Sequence, residues 1–344
     1  MLKHSTLISV VFIFSFLFAE AAEQPIFRSE FINEKNSEWP YAHASTLESL
    51  PNGDLLVAWY AGTREKASDV AVLYSRFRSH MPTWTTPEVL VYSPTHSQGN
   101  PVLYLDVQNR LWLFFVTMYG DNDWTTCKIR YRCSDDNGWT WGSPYVLREE
   151  WGWMPRCRPL PLKNGEIVLP LYDEVNGRSV FMISSNGRTQ WRNSGQVVTT
   201  PGNEQPALVQ YPDGEIVSLM RTRATEKGRI WLARSFDDSR TWTSAEETEL
   251  PNPDAAVSAL LLQEGPLLLI FNDSETNRTK LTLAVSQDRG KSWNRVTDLE
   301  NQPGEYSYPE AIQTPDGLIH VTYSYKPDRI KHVVFNYTWL KNQP

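Results

Sequence analysis

The sequence predicts an all-β fold, a six-bladed β-propeller, and three observations carry that expectation. A short box recurs: "SDDNGWTW" (134–141), "SFDDSRTW" (235–242) and "SQDRGKSW" (286–293), with a worn copy "SSNGRTQW" at 184–191. The closing Trp of each box falls at 141, 191, 242 and 293, and Trp84 and Trp339 keep the same beat. A fixed period of about fifty residues marks a repeat architecture. Upstream of each box lie paired apolar runs hinged on turn residues, and no stretch carries helical periodicity.

Taken in order, the hinged pairs read "TLESLPNGDLLVAWY" (46–60), "PVLYLDVQNRLWLFFV" (101–116), "RPLPLKNGEIVLPLY" (158–172), "PALVQYPDGEIVSLMR" (206–221), "SALLLQEGPLLLIFN" (258–272) and "PEAIQTPDGLIHVTYSY" (309–325). Asn-Gly and Asp-Gly between β-branched and aromatic runs are hairpin signals. A third strand such as "KLTLAVS" (280–286) leads into each box, and a fourth follows it. Four short strands repeated six times hide their edges by radial arrangement. The last unit is the shortest, so residues near 26–32 are expected to supply its outer strand and close the ring. Within the box, Asp accepts backbone N–H groups across a tight turn, Gly takes φ > 0 and Trp packs between strands. The box is a fold device.

The first residues, "MLKHSTLISVVFIFSFLFAEAAEQ", read as a secretory signal: Lys3, an apolar run Leu7–Phe18, and Ala19-Glu20-Ala21 for cleavage. A dozen or so apolar residues fall short of the ~20 a membrane span needs. The expected organisation is a signal over 1–21 and one propeller domain over 22–344, secreted, extracellular or periplasmic, and monomeric. A net charge of −7 argues against nucleic acid or an anionic membrane as partner. Cys127, Cys133 and Cys157 have no metal spacing, and one pair could bridge neighbouring blades in an oxidising compartment. Sequons occur at Asn272, Asn277 and Asn336. Neither paired His spacing nor a glycine-rich phosphate loop is present, so no metal or cofactor is expected.

If first strands run from top to bottom, the Asn-Gly and Asp-Gly turns and the boxes lie at the bottom. Starts of first strands and ends of second strands then converge at the top of the axis. That topology collects His43, Arg64, Glu65, Asp69, Asn100, Arg158, Asp173, Glu174, Glu204, Arg221, Arg278, Tyr306, Tyr308 and Tyr323. Arginines, carboxylates, a histidine and tyrosines meeting in one funnel suit an anionic ligand.

The repeated Ser-x-Asp-x-Gly-x-Thr-Trp box and these positions resemble the sialidase (neuraminidase) superfamily, also called BNR-repeat or Asp-box proteins. "NEQPALVQYPDGEIVSLMR" (203–221) resembles the segment holding a glutamate and a triad arginine; "EYSYPEAIQTPDG" (305–317) resembles the segment of the nucleophilic tyrosine. "LLVAWYAGTREKASDVAVLYSR" (55–76) resembles the segment bearing the acid/base aspartate. The resemblance implies an exo-acting glycosidase releasing terminal acidic sugars from a glycan. Tyr306, with Tyr308 beside it, would be the nucleophile, because a carboxylate nucleophile is repelled by the sugar's own carboxylate. Glu204 would take the phenol proton, Asp69 would protonate the leaving oxygen, and Arg221 and Arg278 would grip the substrate carboxylate. By topology alone, Arg158, Arg64 and Glu174 join the substrate-binding set, with an internal ion-pair network as the alternative for Arg158 and Glu174.

One departure is plain. Sialidases open the first blade with Arg-Ile-Pro, whose arginine completes the carboxylate triad; here the place reads "YAHASTL", and His43 is the candidate. Arg28 of "FRSEF" lies too far upstream. Two further readings therefore stand beside the first. One is a lyase or hydrolase acting on uronate- or deoxysugar-containing glycans, with His43 and a tyrosine as acid and base. The other is a carbohydrate-binding propeller without catalysis.

Overall fold

The computed structural model describes residues 24–185, 190–224 and 226–343. The expected signal over 1–21 and the middle of the worn box at 184–191 lie outside the described residues. Six antiparallel sheets form six blades around one axis. Their innermost strands are Tyr41–Ser49, Gln98–Leu105, the interrupted pair Trp153–Pro155 and Leu160–Pro161, Asn203–Gln210, Ser258–Leu261 and Tyr306–Gln313. Each inner strand packs beside the next, and the sixth returns to the first.

The ring closes as the short last unit requires. Phe27–Phe31 pairs with Arg329–Asn336 as the outermost strand of blade 6, Phe27 opposite Phe335 and Phe31 opposite Lys331. The apolar cores sit within and between blades; Trp59 and Trp112 are almost fully buried.

The boxes behave as the sequence implies. In blade 5 the Ser292 hydroxyl donates to Asp288 at 2.6 Å and the Ser292 N–H at 2.9 Å, while Gly290 N–H donates to Ser286 Oγ at 2.8 Å. The Ser292 hydroxyl and N–H hold the Asp288 carboxyl down at about 2. Gly290 takes a positive φ of 84°, which glycine adopts at little cost. In blade 4 Ser239 takes that place at φ 66°.

Four inner strands share one irregularity near their top ends. Register slips between His43 and Thr46, Gly99 and Val102, Glu204 and Ala207, and Ser307 and Glu310. Within each slip one residue turns left-handed: Ala44 at φ 53°, Asn100 at 44°, Gln205 at 53° and Tyr308 at 56°. Such bulges bend a strand and re-aim its side chains. They place the side chains that meet on the axis.

The three cysteines are free thiols, so the bridge entertained from the sequence does not form. Cys127 and Cys133 share one strand of blade 2, and Cys157 in blade 3 faces the Gln205 carbonyl at 3.4 Å. Two sequons are also closed. Asn272 is fully buried, and Asn336 is buried and accepts from Trp339 N–H at 2.9 Å; Asn277 is exposed.

Candidate active site

Tyr308, not Tyr306, reaches the axis. Without the bulge the two tyrosines would share a face, two residues apart on one strand. The slip after Ser307 turns Tyr308 inward and leaves Tyr306 in the apolar core of blades 5 and 6, its ring 5.1 Å from Tyr325. Tyr306 is fully buried there. Tyr323 is also withdrawn, donating to Glu300 at 2.7 Å.

Around Tyr308 the structure gathers three guanidinium groups. Arg221 Nη1 donates to the Tyr308 hydroxyl at 3.2 Å and its Nε to Asp254 at 2.6 Å. The Arg278 guanidinium lies 5.6 Å from the Tyr308 ring centroid and donates to the Asp254 carbonyl at 2.7 Å and to Glu305 at 3.3 Å. Arg156, from the top of blade 3, lies 5.1 Å from the same centroid. The sequence reading named Arg158 and passed over Arg156. Arg158 sits two residues further on, in the break between the two inner-strand pieces, where it pairs with buried Glu48 at 2.7 Å.

His43 stands against Tyr308, ring centroids 4.5 Å apart, with Tyr60 at 5.6 Å and Tyr41 at 5.4 Å on its other sides. Burial pushes its imidazole well below the usual histidine range, and Arg278, Arg156 and Arg221 push it the same way. His43 is therefore neutral near pH 7. Its Nδ1 is buried and meets no hydrogen-bond partner among the described residues.

Glu204 lies opposite Arg221 across the strand pair, with 3.9 Å between carboxylate and Nε, and holds Arg223 Nη1 at 3.1 Å. Burial raises its carboxyl to about 7, against the opposing pull of Arg221. Arg223 also links to Glu174, whose carbonyl accepts at 2.9 Å, so Glu174 belongs to the Glu204 side of the cluster. Asn100 donates to the Tyr172 hydroxyl at 2.9 Å on the same floor.

The first-blade loop behaves differently from its expectation. Asp69 turns back on its own loop and accepts from Thr63 N–H and Thr63 Oγ1, each at 3.1 Å. Glu65 faces inward instead, accepting from Trp124 Nε1 at 3.2 Å and from Tyr41 at 3.5 Å. Arg64 is exposed on that loop. Asp173 is consumed by its hairpin, bridged to Arg178 at 3.0 Å.

Arg156, Arg223, Asp254 and Gln205 were missed by sequence reasoning. The repeated bulge had a trace, since Asn100-Pro101, Gln205-Pro206 and Tyr308-Pro309 occupy matching places in their blades. Aligning those dipeptides singles out Tyr308 over Tyr306 and adds Gln205 to the axis. Nothing of that kind marks Arg156.

A propeller with an arginine-flanked tyrosine at the top of its axis defines the class, the sialidase fold. The chain belongs to the family of the BNR repeat-like domain, whose model matches residues 53–321, and with it to the sialidase superfamily of BNR-repeat proteins. A sialidase of Bacteroides fragilis (strain YCH46) is 24% identical over 71% of this chain, which spans half of that relative's length. The intramolecular trans-sialidase of Ruminococcus gnavus superposes with a TM-score of 0.76 at 16% identity, over 90% of this chain and 97% of that one. A protein of unknown function from Dyadobacter fermentans DSM 18053 superposes at 0.77 with 17% identity, over 90% and 99%. At such identities the likeness to solved structures concerns the fold. Among the described residues no helix is long and apolar enough to cross a membrane.

Proposed function

We propose that this protein is a secreted sialidase-like glycosidase that releases a terminal acidic sugar from a glycan, with Tyr308 as its nucleophile. The observation that carries the reading is the Tyr308 hydroxyl accepting from Arg221 while Arg278 lies over the same ring. A phenol flanked by guanidinium groups can attack an anomeric carbon that bears a carboxylate, where a carboxylate nucleophile would be repelled. In the first step the tyrosine oxygen bonds to that carbon and the glycosidic C–O bond breaks. Glu204 takes the phenol proton; a carboxyl that titrates near 7 suits a base working near neutrality. The leaving oxygen receives a proton from the first-blade loop, from Asp69 by family resemblance or from Glu65 by its inward placement. Water then cleaves the tyrosyl glycoside, with the same loop carboxylate as base. Arg221 and Arg278 orient the substrate carboxylate. Secretion rests on the leader-like residues 1–21, with the propeller domain following over 22–344.

A second reading is favoured by one observation, the buried neutral His43 with an unpartnered Nδ1 against Tyr308. On a uronate, one of the two removes the proton next to the carboxylate and the other protonates the departing oxygen. The C–H and C–O bonds break and a C=C bond forms. Fluorophore release from a 4-methylumbelliferyl sialoside, with Tyr308→Phe alongside, tests the first reading. Turnover that the variant loses supports it. Folded protein that leaves the sialoside intact, yet generates the ultraviolet absorbance of an unsaturated uronate from an acidic polysaccharide, replaces it with the second.

A further inference from the structure

The inner strand of the first blade is reached by an arginine from another blade. Arg156 crosses the axis from blade 3. Its Nη1 donates to the Ser45 carbonyl at 3.4 Å and its Nη2 to the Pro309 carbonyl at 3.1 Å. Ser45 follows the left-handed Ala44 of the blade 1 bulge, and Pro309 follows the left-handed Tyr308 of the blade 6 bulge. One guanidinium thus holds a carbonyl in each of the two bulges that present His43 and Tyr308.

We propose that Arg156 is a positioning residue: a clamp from blade 3 that sets the His43 imidazole against the Tyr308 ring. The geometry is specific to a planar fork, since two donors on one rigid group must reach two strands of different blades. The side chain is 1% exposed, so it lies beneath the site and acts through the groups above it. Its counter-charge is Glu310, 3.6 Å away and also buried, two residues below Tyr308. The pair Arg158–Glu48 continues the column down the axis. The charged and titratable groups facing His43 are Arg156, Arg221, Arg278, Tyr41, Tyr60 and Tyr308. Only Arg156 among them bonds to both bulges. Left-handed, non-glycine positions persist only where surroundings over-determine them, and this clamp supplies two such constraints.

The activity arm of the test rests on the proposed function; the geometric arm does not. Arg156→Lys keeps the charge but has a single ammonium in place of the fork. Arg156→Met combined with Glu310→Gln removes the fork without stranding a buried charge, which keeps the experiment readable if Arg156→Met alone fails to fold. In the wild type, nuclear Overhauser contacts are expected between His43 and Tyr308 ring protons. In both variants they should weaken or vanish while far-ultraviolet dichroism is unchanged. On whichever substrate the wild type turns over, kcat should fall about a hundredfold with KM within roughly threefold, the effect of misplacing a reacting group by about 1 Å. The His43 resonances should also begin to titrate closer to the ordinary imidazole range in the double variant. Unchanged ring contacts in folded variants would overturn the clamp, whatever happens to kcat. A wild type inactive on every acidic glycoside would sink the proposed function and leave the ring contacts to decide the clamp.

Discussion

Tyr308 and Arg221 stand 87 residues apart in the chain and meet at 3.2 Å, phenol oxygen to guanidinium nitrogen. The contact joins blade 6 to blade 4 across the top of the axis. It exists because both inner-strand tops are organised by bulges, one turning Tyr308 inward and one offsetting Glu204 beside Arg221. The consequences are testable residue by residue.

On the proposed function, replacing Tyr308 by Phe should abolish turnover, by about a thousandfold or more, since the proposed attacking oxygen is gone. Tyr306→Phe is the matched control on the same strand. It removes a hydroxyl from a fully buried ring and should change kcat by less than about twofold. Side-by-side kinetics decide the assignment, and a Tyr306→Phe enzyme that is dead while Tyr308→Phe is active would reverse it.

Glu204 makes the fold pH-dependent. Its folded-state value, about 7, lies above the ordinary 4.5, so its contribution is full below 4.5 and is lost as pH rises through 7. Glu204→Gln cannot ionise and escapes that loss. The Tm difference, variant minus wild type, should therefore grow between pH 4.5 and 7 and then level off. The stability change behind it is on the order of 1–3 kcal/mol, reduced by the ion pair with Arg223 that the variant gives up. A flat difference across that window would mean Glu204 is ionised throughout.

Ser239 is a glycine position occupied by serine. It sits at φ 66° and its buried hydroxyl finds no partner among the described residues. Ser239→Gly relieves the left-handed strain and removes the unsatisfied hydroxyl, against the entropy glycine adds to the unfolded chain. The net expectation is a gain of about 1 kcal/mol, measured as a higher denaturant midpoint with an unchanged slope.

Restoring the family's first-blade arginine should fail when done alone. His43→Arg would bury a fourth guanidinium beside Arg156, Arg221 and Arg278, all of which already disfavour charge at that position. Loss of about 3–5 kcal/mol of stability is expected, the scale for an uncompensated buried charge. A His43→Arg protein as stable as the wild type would show that the pocket has room and counter-charge for an arginine.

Much of the architecture was legible before any coordinates. The box spacing and the hinged apolar runs announce six blades, and the short last unit announces that Phe27–Phe31 must complete it. Arg221 was readable because a charge at the end of an apolar strand is expensive unless it is paired, whereas Glu204 and Arg278 were readable only through the family resemblance. Tyr306 misled because strict alternation makes it equivalent to Tyr308, and a one-residue slip is invisible to a period-2 pattern. Arg158 misled in the same way; the interrupted inner strand of blade 3 puts Arg156 at the axis top and leaves Arg158 with Glu48. Asp69 and Glu65 traded places because Thr63 holds the Asp69 carboxylate within its own loop, while Trp124 and Tyr41 hold Glu65 facing inward.

The sequence by itself determined the periodic part of this protein: the number of blades, their turns, and which end of the axis gathers charge. Those features follow from local patterns of apolar, glycine and aspartate residues that repeat every fifty positions or so. Only the tertiary structure decided that Tyr308 rather than Tyr306 is presented, that Arg156 reaches both bulges, and that burial disfavours a charged His43. Each of these depends on bulges, of which the sequence carries only the trace of a recurring X-Pro step, and on burial among residues from other blades, which spacing along the chain does not encode.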